Sequence, residues 1–435
     1  MILLNRLVPL FVVLVLSGSA LASKYSTDTV VNASVLIRTN LKHGFSEDDD
    51  ASGRWRGSGF VINKEKGWIM TNGHVSASGP AEIRVQFVGD KIRYEASRLF
   101  VDSRHDVAIL QVDPAIIPED VTELSLDCEY TLKRGDRVVS VGHPTGHEFT
   151  LSLGVMSGTR TFGADTDLYS TDVIVESGSS GSPVVSLDSG LVVGVSTARY
   201  DDSDVGLLTT ARDACQISRL IEAGIDPSRP RLDFQLLLIE KESSNVVGQI
   251  FSSESQLRVG DQILEIEGKP WDPKTLGEFE DNLRIFETDE IEITVKRQGS
   301  RMQLRIPNNK IGSLHERDWL HFSGLTFTEA KHQDSRYRNA GRNHSIIRLQ
   351  TVDDTHDDTT ELGFDEYAVL LSVDGREFDD LKQLYDYLKS REGEPISLIA
   401  RDYDMTHEWV AYPFQHEIRV EDLASSFEID QPESR

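Results

Sequence analysis

A chain of 435 residues is longer than one hydrophobic core normally supports, so we expect roughly two to four domains. Hydrophobic residues make up 38% of the chain and charged residues 27%, which is typical of folded globular protein and excludes general disorder. The net charge of −27 makes contact with phosphate backbones or anionic lipid headgroups unfavourable, so the sequence predicts neither a nucleic-acid partner nor membrane-surface binding.

The amino terminus has the three parts of an export signal. Asn5 and Arg6 precede the apolar run 7–16, and residues 20–22 (Ala-Leu-Ala) have the form of a signal-peptidase site. An uncleaved membrane anchor is the alternative, but the run is about half of the roughly 20 residues that a spanning helix needs. We therefore predict a signal peptide over residues 1–22, no stable membrane anchor, and an exported protein, periplasmic or otherwise secreted.

Short apolar runs separated by Gly, Asp and Ser fill residues 34–211. Runs of this length and spacing predict a mainly β domain, either a barrel or a sandwich. Residues 213–223 have apolar positions at helical spacing and Gly224 as a stop, and the segment 225–231 is typical of a linker. The first domain is therefore expected to span residues 23–224.

Two further units are predicted at residues 233–310 and 318–415. Each contains a strand, a tight turn at Glu-Gly or Asp-Gly, an amphipathic helix and another strand. The units are interpreted as a diverged repeat of α+β domains, and residues 416–435 as a C-terminal tail.

The only cysteines are Cys128 and Cys215. An oxidising compartment would allow them to pair, but nothing in the sequence fixes their distance, so the disulfide stays open. The acidic runs 46–50 and 353–358 lack the glycine and distal glutamate of a calcium loop, and His143 and His147 have no third ligand at metal spacing. We predict no metal and no other cofactor.

The strongest chemical signal is the glycine-rich turn GSSGSP at residues 178–183, between two strand-like runs. A nucleophilic serine needs a sharp turn that exposes its hydroxyl and points backbone N–H groups at a developing oxyanion. An ordinary polar hairpin would have a similar composition. Of the serines present here, only Ser180 has glycine two residues before and one residue after it, so Ser180 is the candidate nucleophile.

A serine nucleophile requires a base within hydrogen-bond reach. His74 follows the apolar run GWIMTN, where the end of a strand can present an imidazole to a cleft. Asp106 opens the run DVAILQV and is the candidate that orients the imidazole, with Asp102 and Asp113 as alternatives.

TNGHV, HDVAIL and GSSGSP occur in this order, with GSGFVI before the histidine and GHP and GVMSG before the serine. Over roughly residues 33–415 the chain resembles the HtrA/Deg family of serine proteases. The resemblance implies a chymotrypsin-like double β-barrel followed by two PDZ-like domains. It implies that His74 is the general base, that Asp106 orients it, and that the N–H groups of Gly178 and Ser180 form the oxyanion hole.

The same resemblance implies further residues and partners. The specificity pocket is expected at Ile174 and at 195–197 (Val195, Ser196, Thr197), without charge, and so suited to small or aliphatic side chains. In the second PDZ-like domain a glycine-containing loop at residues 322–327 is expected to hold the carboxylate of a C-terminal peptide through Ser323, Gly324 and Leu325. The first PDZ-like domain has no glycine in the corresponding stretch, residues 232–237, and carries Asp233 there. We therefore interpret this domain as a structural or regulatory spacer.

The expected function is degradation of unfolded or damaged exported polypeptides by a homotrimer or larger homo-oligomer. Two positions depart from the family pattern: Ser182 stands where a second glycine is usual, and Ser179 precedes the nucleophile, so activation by cleavage of a zymogen is disfavoured. The alternative hypothesis is a holdase chaperone or peptide-sensing scaffold with little turnover. A second alternative is that both PDZ-like domains only pack against the protease or its neighbours.

Overall fold

The computed structural model describes residues 26–45, 48, 52–162, 166–199, 205–230, 232–239, 244–250, 255–271, 276–330, 346–352, 368–401 and 413–428. The predicted signal peptide lies outside these residues, as do most of the two acidic runs. Within the described part of the chain, no helix is long and apolar enough to cross a bilayer.

The first six strands close into a barrel in the order β1-β2-β3-β6-β5-β4. A short helix, α1, precedes it, and a second, α2, stands between β3 and β4. The elements are α1 Thr27–Ala33, β1 Ser34–Leu41, β2 Gly53–Asn63, β3 Trp68–Thr71, α2 Gly73–Ser76, β4 Ala81–Phe87, β5 Tyr94–Asp102 and β6 Val107–Gln111.

The next six strands close into a second barrel in the order β10-β11-β12-β9-β8-β7, and the helix α3 follows it. These elements are β7 Arg137–Gly142, β8 Thr150–Phe162, β9 Thr166–Thr171, β10 Pro183–Ser186, β11 Val192–Arg199, β12 Gly206–Thr210 and α3 Ala211–Glu222. The helix begins two residues before the predicted start because Thr210 caps it, accepting the N–H of Asp213.

One apolar cluster joins the two barrels. Its fully buried members include Phe60 and Met70 from the first barrel and Val139 and Val195 from the second, with Ile217 of α3 packed against them. The disulfide Cys128–Cys215 ties the segment between the barrels to α3. The mainly β fold with a double barrel is therefore confirmed, and the cleft between the barrels is where their loops meet.

We call the next unit the first accessory module. Its sheet has the order β13-β14-β15-β17-β18, with β16 paired to β15, so β13 lies at an edge of the described sheet. Its elements are β13 Phe234–Ile239, β14 Ser244–Ile250, β15 Gln262–Ile266, β16 Lys269–Pro270, α4 Leu276–Leu283, β17 Glu290–Arg297 and β18 Ser300–Pro307.

The second accessory module has a seven-stranded sheet in the order β24-β23-β22-β21-β20-β19-β25. Its elements are β19 Trp319–Phe322, β20 Leu325–Ala330, β21 Ile346–Val352, β22 Val369–Val373, α5 Leu381–Lys389, β23 Pro395–Arg401, β24 Pro413–Arg419 and β25 Ala424–Ser425. The sheet therefore includes residues beyond 415, and the predicted tail from residue 416 is in part a strand of this module.

Both modules contain the expected strand, turn, helix and strand. The turns at Glu267-Gly268 and Asp374-Gly375 have positive φ at both residues, as a tight turn of this type requires. The difference lies on the other side of the sheet. In the first module β13 is an edge strand. The corresponding strand of the second module, β20, is not an edge strand, because it pairs with β19, which pairs in turn with β25.

Candidate active site

The carboxylate of Asp106 holds His74 through two hydrogen bonds. Asp106 Oδ2 lies 2.8 Å from His74 Nδ1, and Asp106 Oδ1 accepts the backbone N–H of His74 at 2.9 Å. His74 lies in α2 just after β3, Asp106 lies just before β6, and these two strands are paired. The alternative carboxylates are engaged elsewhere: Asp102 pairs with Arg284 and Asp113 accepts the N–H of Ala115.

The backbone around Asp106 is unusual. Asp106 has a φ of +51°, a left-handed conformation that aspartate tolerates better than most residues. Its carbonyl accepts a hydrogen bond from Asn72 Nδ2 at 2.8 Å. A Cβ on Gly73 would lie 3.3 Å from Asp106 Oδ1 and 3.2 Å from the carbonyl of Asp102, so the glycine of TNGHV allows α2 to approach this loop.

Thr197 links Ser180 to Asp106. The Ser180 hydroxyl donates to the carbonyl of Thr197 at 3.1 Å, and the Thr197 hydroxyl donates to Asp106 Oδ2. Ser180 lies three residues before the strand β10 of the second barrel, whereas His74 and Asp106 belong to the first. Residues from both barrels are thus brought together across the cleft.

The turn before β10 depends on two glycines. Gly178 and Gly181 have φ of +97° and +87°, and Cβ atoms there would lie 2.4 Å from the carbonyl of His143 and 2.0 Å from that of Ser58. The N–H groups of Ser179 and Gly181 donate to backbone carbonyls. For the N–H groups of Gly178 and Ser180, the described residues supply no acceptor.

Ser58 and His143 support this turn, and the sequence did not single out either for that role. Ser58 Oγ donates to the carbonyl of Gly178 at 2.7 Å and lies 2.9 Å from His143 Nδ1. Since the Ser58 hydrogen is used on Gly178, His143 donates from Nδ1. Burial, with a smaller effect of the Arg38 charge, lowers the pKa of His143 to about 4 and keeps the imidazole neutral. The motifs GSGFVI and GHP contained both residues without indicating their contact.

Ser182 is buried and points away from the cleft. Its hydroxyl lies 3.1 Å from that of Ser140 on β7, inside the second barrel. The side chain that replaces the usual second glycine therefore does not narrow the space in front of Ser180. Within the described residues, no group of three or more His, Cys, Asp or Glu side chains is arranged to hold a metal ion.

The residues predicted for the specificity pocket are not equivalent. Ile174 is 49% exposed, and its N–H donates to Ser152 Oγ at 2.9 Å. Val195 is fully buried in the cluster between the barrels, so its side chain does not face an open pocket. Ser196 is also fully buried, and the Thr197 hydroxyl is directed to Asp106.

The predicted carboxylate loop of the second module is a closed turn instead of an open one. Ser323 and Gly324 form the two-residue turn between β19 and β20, and Leu325 is fully buried in the core. The Ser323 N–H donates to the carbonyl of Glu421 at 2.8 Å, and its hydroxyl donates to that of Arg419. The glycine serves a hairpin, and the Ser323 N–H expected to bind a carboxylate is already paired within the module.

Comparison with known proteins agrees with this geometry. The family model of the trypsin-like peptidase domain matches residues 57–195. The chain is 25% identical over 390 residues to a probable serine protease do-like protein of Buchnera aphidicola subsp. Acyrthosiphon pisum (strain APS), covering 82% of this chain and 77% of the relative. It is 26% identical over 236 residues to the periplasmic serine endoprotease DegP of Escherichia coli (strain K12), covering 49% of this chain and 48% of that protein.

Among solved structures, the HtrA-type protease AlgW with tripeptide superposes with a TM-score of 0.53 at 21% identity, over 66% of this chain and 97% of that chain. This similarity supports the fold. The chain spans about half the length of the Escherichia coli relative and 77% of the Buchnera relative. With the peptidase-domain match, these comparisons show that the chain carries a trypsin-like serine endopeptidase domain and is similar to HtrA/Deg-type proteases.

Proposed function

We propose that the protein hydrolyses peptide bonds through an acyl-enzyme at Ser180. The observation that carries this proposal is the continuous chain of contacts from Ser180 through Thr197 to Asp106, which in turn holds His74. His74 and Asp106 adjoin paired strands of the first barrel, and Thr197 lies on β11 of the second.

In the proposed mechanism, Ser180 Oγ attacks the carbonyl carbon of the scissile bond and its proton passes to His74 Nε2. The tetrahedral intermediate collapses when the imidazolium donates this proton to the leaving amine, which breaks the C–N bond. Water then attacks the ester with His74 again as base, releasing the acid and restoring Ser180. Asp106 keeps the Nδ1–H tautomer and stabilises the imidazolium.

The oxyanion of each tetrahedral intermediate would be bound by the N–H groups of Gly178 and Ser180. Their positions follow from the left-handed backbone of Gly178 and from the hydrogen bond between Ser58 and the Gly178 carbonyl. Preorganised donors of this type typically contribute about 10²–10³-fold to turnover.

We infer an uncharged substrate side chain at the cleavage site. Ile174 is exposed and carries no charge, and an unpaired lysine or arginine buried beside it would be costly. The protein substrates would be exported polypeptides in extended, unfolded form. Cleavage of a peptide library should therefore be favoured after small or aliphatic residues; a profile dominated by lysine or arginine would contradict this.

The two accessory modules are proposed to be PDZ-like, with roles opposite to those expected from the sequence. β13 of the first module lies at a sheet edge, where an extended peptide can add as a strand. The corresponding strand of the second module, β20, is already paired on both sides. Asp233 is buried directly before β13, so peptide binding there should not depend on a free carboxylate.

Calorimetry with the full-length Ser180→Ala variant tests this assignment. A hydrophobic peptide should bind equally well with a free and an amidated C-terminus, and Leu237→Glu, at an exposed position of β13, should weaken binding. Loss of binding on amidation would contradict it.

Labelling with a reactive phosphonate tests the proposed catalysis. The wild-type protein should form one adduct on Ser180, and Ser180→Ala should lose labelling together with several orders of magnitude of peptidase turnover. Ser177→Ala is the matched control, because this exposed serine lies in the same turn and should keep both properties. A holdase with little turnover is the outcome if the folded wild-type protein neither labels nor cleaves casein but still suppresses aggregation.

A further inference from the structure

The loop 102–106, between β5 and β6, is shaped by its own first carboxylate. Asp102 Oδ1 accepts the N–H groups of Arg104 at 2.8 Å and His105 at 3.0 Å. These bonds close the turn that delivers Asp106 in its left-handed conformation to His74. The groups that bind the Asp102 carboxylate therefore help to fix the position of Asp106.

Asp102 is held from outside the peptidase domain. Its Oδ2 lies 2.5 Å from a guanidinium nitrogen of Arg284, which directly follows α4 of the first accessory module. Both side chains are almost completely buried, at 4% and 1% exposure. Arg284 also pairs with Asp281 at 2.9 Å and donates to the carbonyl of Pro227 at 2.8 Å.

The next residues of the loop contact the same helix. His105 Nε2 lies 3.0 Å from both oxygens of Asp281, and Arg104 pairs with Glu280 at 2.6 Å. The carbonyl of His105 accepts the hydroxyl of Thr209 at 2.8 Å, which fixes the loop to the second barrel. Three of the five loop residues are thus bound by α4 and Arg284.

The ionisation states agree with this arrangement. Burial alone would raise the pKa of Asp102, but the charges of Arg284, His105 and Arg229 hold it well below its usual range. Burial alone would lower the pKa of His105, but its hydrogen bond to Asp281 and the carboxylates around it raise the pKa. Both shifts favour the charged forms of Asp102 and His105.

The strands that flank the loop have a second support. Leu314, in the segment after the first module, packs against Val101 and Ala108, and Ser313 Oγ accepts the N–H of Val101 at 3.0 Å. The two ends of the loop are thereby covered by chain that lies outside both barrels.

We propose that the first accessory module is a positioning part of the active site, in which Arg284 and Asp281 hold the loop 102–106 so that Asp106 orients His74. This inference rests on the proposed function of the triad. A contact that serves only to dock the module would leave the His74–Asp106 geometry unchanged when it is broken.

The test uses full-length Arg284→Met, which keeps the length and removes the charge. Its kcat/KM for a peptide substrate should fall on the order of 10- to 100-fold, mainly in kcat. Because a misplaced Asp106 no longer favours the imidazolium, the acid limb of the pH–rate profile should move to lower pH. Arg284→Lys should recover part of the activity. Arg301→Met, which breaks an exposed pair with Glu265 in the same module, is the matched control and should behave as wild type.

A second measurement does not depend on turnover. In the Ser180→Ala background, the downfield proton resonance of His74 Nδ1–H should be present and should be lost or shifted upfield by Arg284→Met. If Arg284→Met does not fold, Asp281→Asn, which keeps the shape and one acceptor oxygen but removes the charge, should give a smaller shift in the same direction. An unchanged resonance in a folded variant overturns the proposal whether or not the wild-type protein is active; absent wild-type phosphonate labelling contradicts the proposed function instead.

Discussion

The two loops that carry the proposed catalytic residues are supported in chemically different ways. The loop 102–106 is held by buried ion pairs, and Arg284 and Asp281 reach it from a separate module. The loop 177–182 is held by neutral hydrogen bonds from within the two barrels, chiefly that of Ser58, and the ion pair Glu176–Arg199 beside it is exposed.

The difference follows from what each loop presents. The first presents a carboxylate and contains a second, buried one, Asp102, which is stable in its charged form only beside a cation. The second must present N–H groups to a developing negative charge, and a neutral His143 leaves that field undisturbed. The position of the loop 102–106 should therefore depend on the ionisation of its side chains and on docking of the first accessory module. The turn before Ser180 should depend on its backbone conformation.

The largest expected effect is a loss of kcat on changing the backbone of the turn before Ser180. Gly178→Ala places a Cβ 2.4 Å from the carbonyl of His143 and disfavours a φ of +97°, so the oxyanion donor must move. We expect kcat to fall by about 10²–10³-fold. Gly135→Ala is the matched control, since Gly135 has a φ of +87° with no atom within 4 Å of the added Cβ. Equal losses in both variants would mean that backbone strain alone explains the effect.

The contributions of His105 and His143 to the free energy of unfolding should change with pH in opposite directions. His105, faced by Asp281 from α4, Asp213 from α3 and Asp102 from its own loop, has a raised pKa. Its contribution to stability is therefore complete below about 6.5 and is lost as the pH rises through the folded-state pKa. His143, with a pKa of about 4, contributes above about 6.5, and its contribution is lost as the pH falls toward 4.

Unfolding in denaturant between about pH 4 and 8 measures this difference. The stability difference between wild type and His105→Gln should grow toward acid pH, and that between wild type and His143→Gln should shrink by about 3 kcal/mol. If the stability differences of the two variants change with pH in the same way, the two loops are not supported in electrostatically different ways.

Ser58→Ala should have a smaller effect. It removes the donor to the Gly178 carbonyl and leaves the buried Nδ1–H of His143 unpaired, at a cost of about 1–3 kcal/mol in the free energy of unfolding. We expect turnover to fall together with stability. Ser97→Ala, at an exposed position of the first barrel, is the control; a Ser58→Ala variant as stable and active as this control would show that the neutral support is dispensable.

The sequence predicted the residues at strand ends better than it predicted contacts between domains. His74 and Asp106 were identifiable because each adjoins an apolar run, and paired strands place the ends of such runs together. Arg284 was not, because an arginine after an amphipathic helix has the same local pattern whether it faces water or a buried carboxylate. Its partner Asp102 is distant in sequence, and no periodicity relates the two.

At two predicted sites the contacts differ from those expected, for a similar physical reason. Ser323-Gly324 was predicted to be a carboxylate loop because a glycine with positive φ serves such a loop and a tight hairpin equally well. Thr197 was assigned to the specificity pocket by its place on β11, but its short side chain reaches Asp106 instead. Backbone preference and spacing limit where a residue can lie, and the neighbouring elements decide which of its atoms are used.

The smallest expected effect concerns a module contact that touches neither loop. The hydroxyl of Thr351, in the second accessory module, donates to the carbonyl of Gly44 in the first barrel at 2.8 Å. Thr351→Val keeps the shape and removes this bond, so we expect a loss of about 1 kcal/mol in the free energy of unfolding. Because Gly44 lies after β1 and outside both catalytic loops, kcat/KM should stay within about twofold of wild type. A loss comparable to that of Arg284→Met would mean that any disturbance of module docking impairs catalysis, and that the contacts of loop 102–106 have no special role.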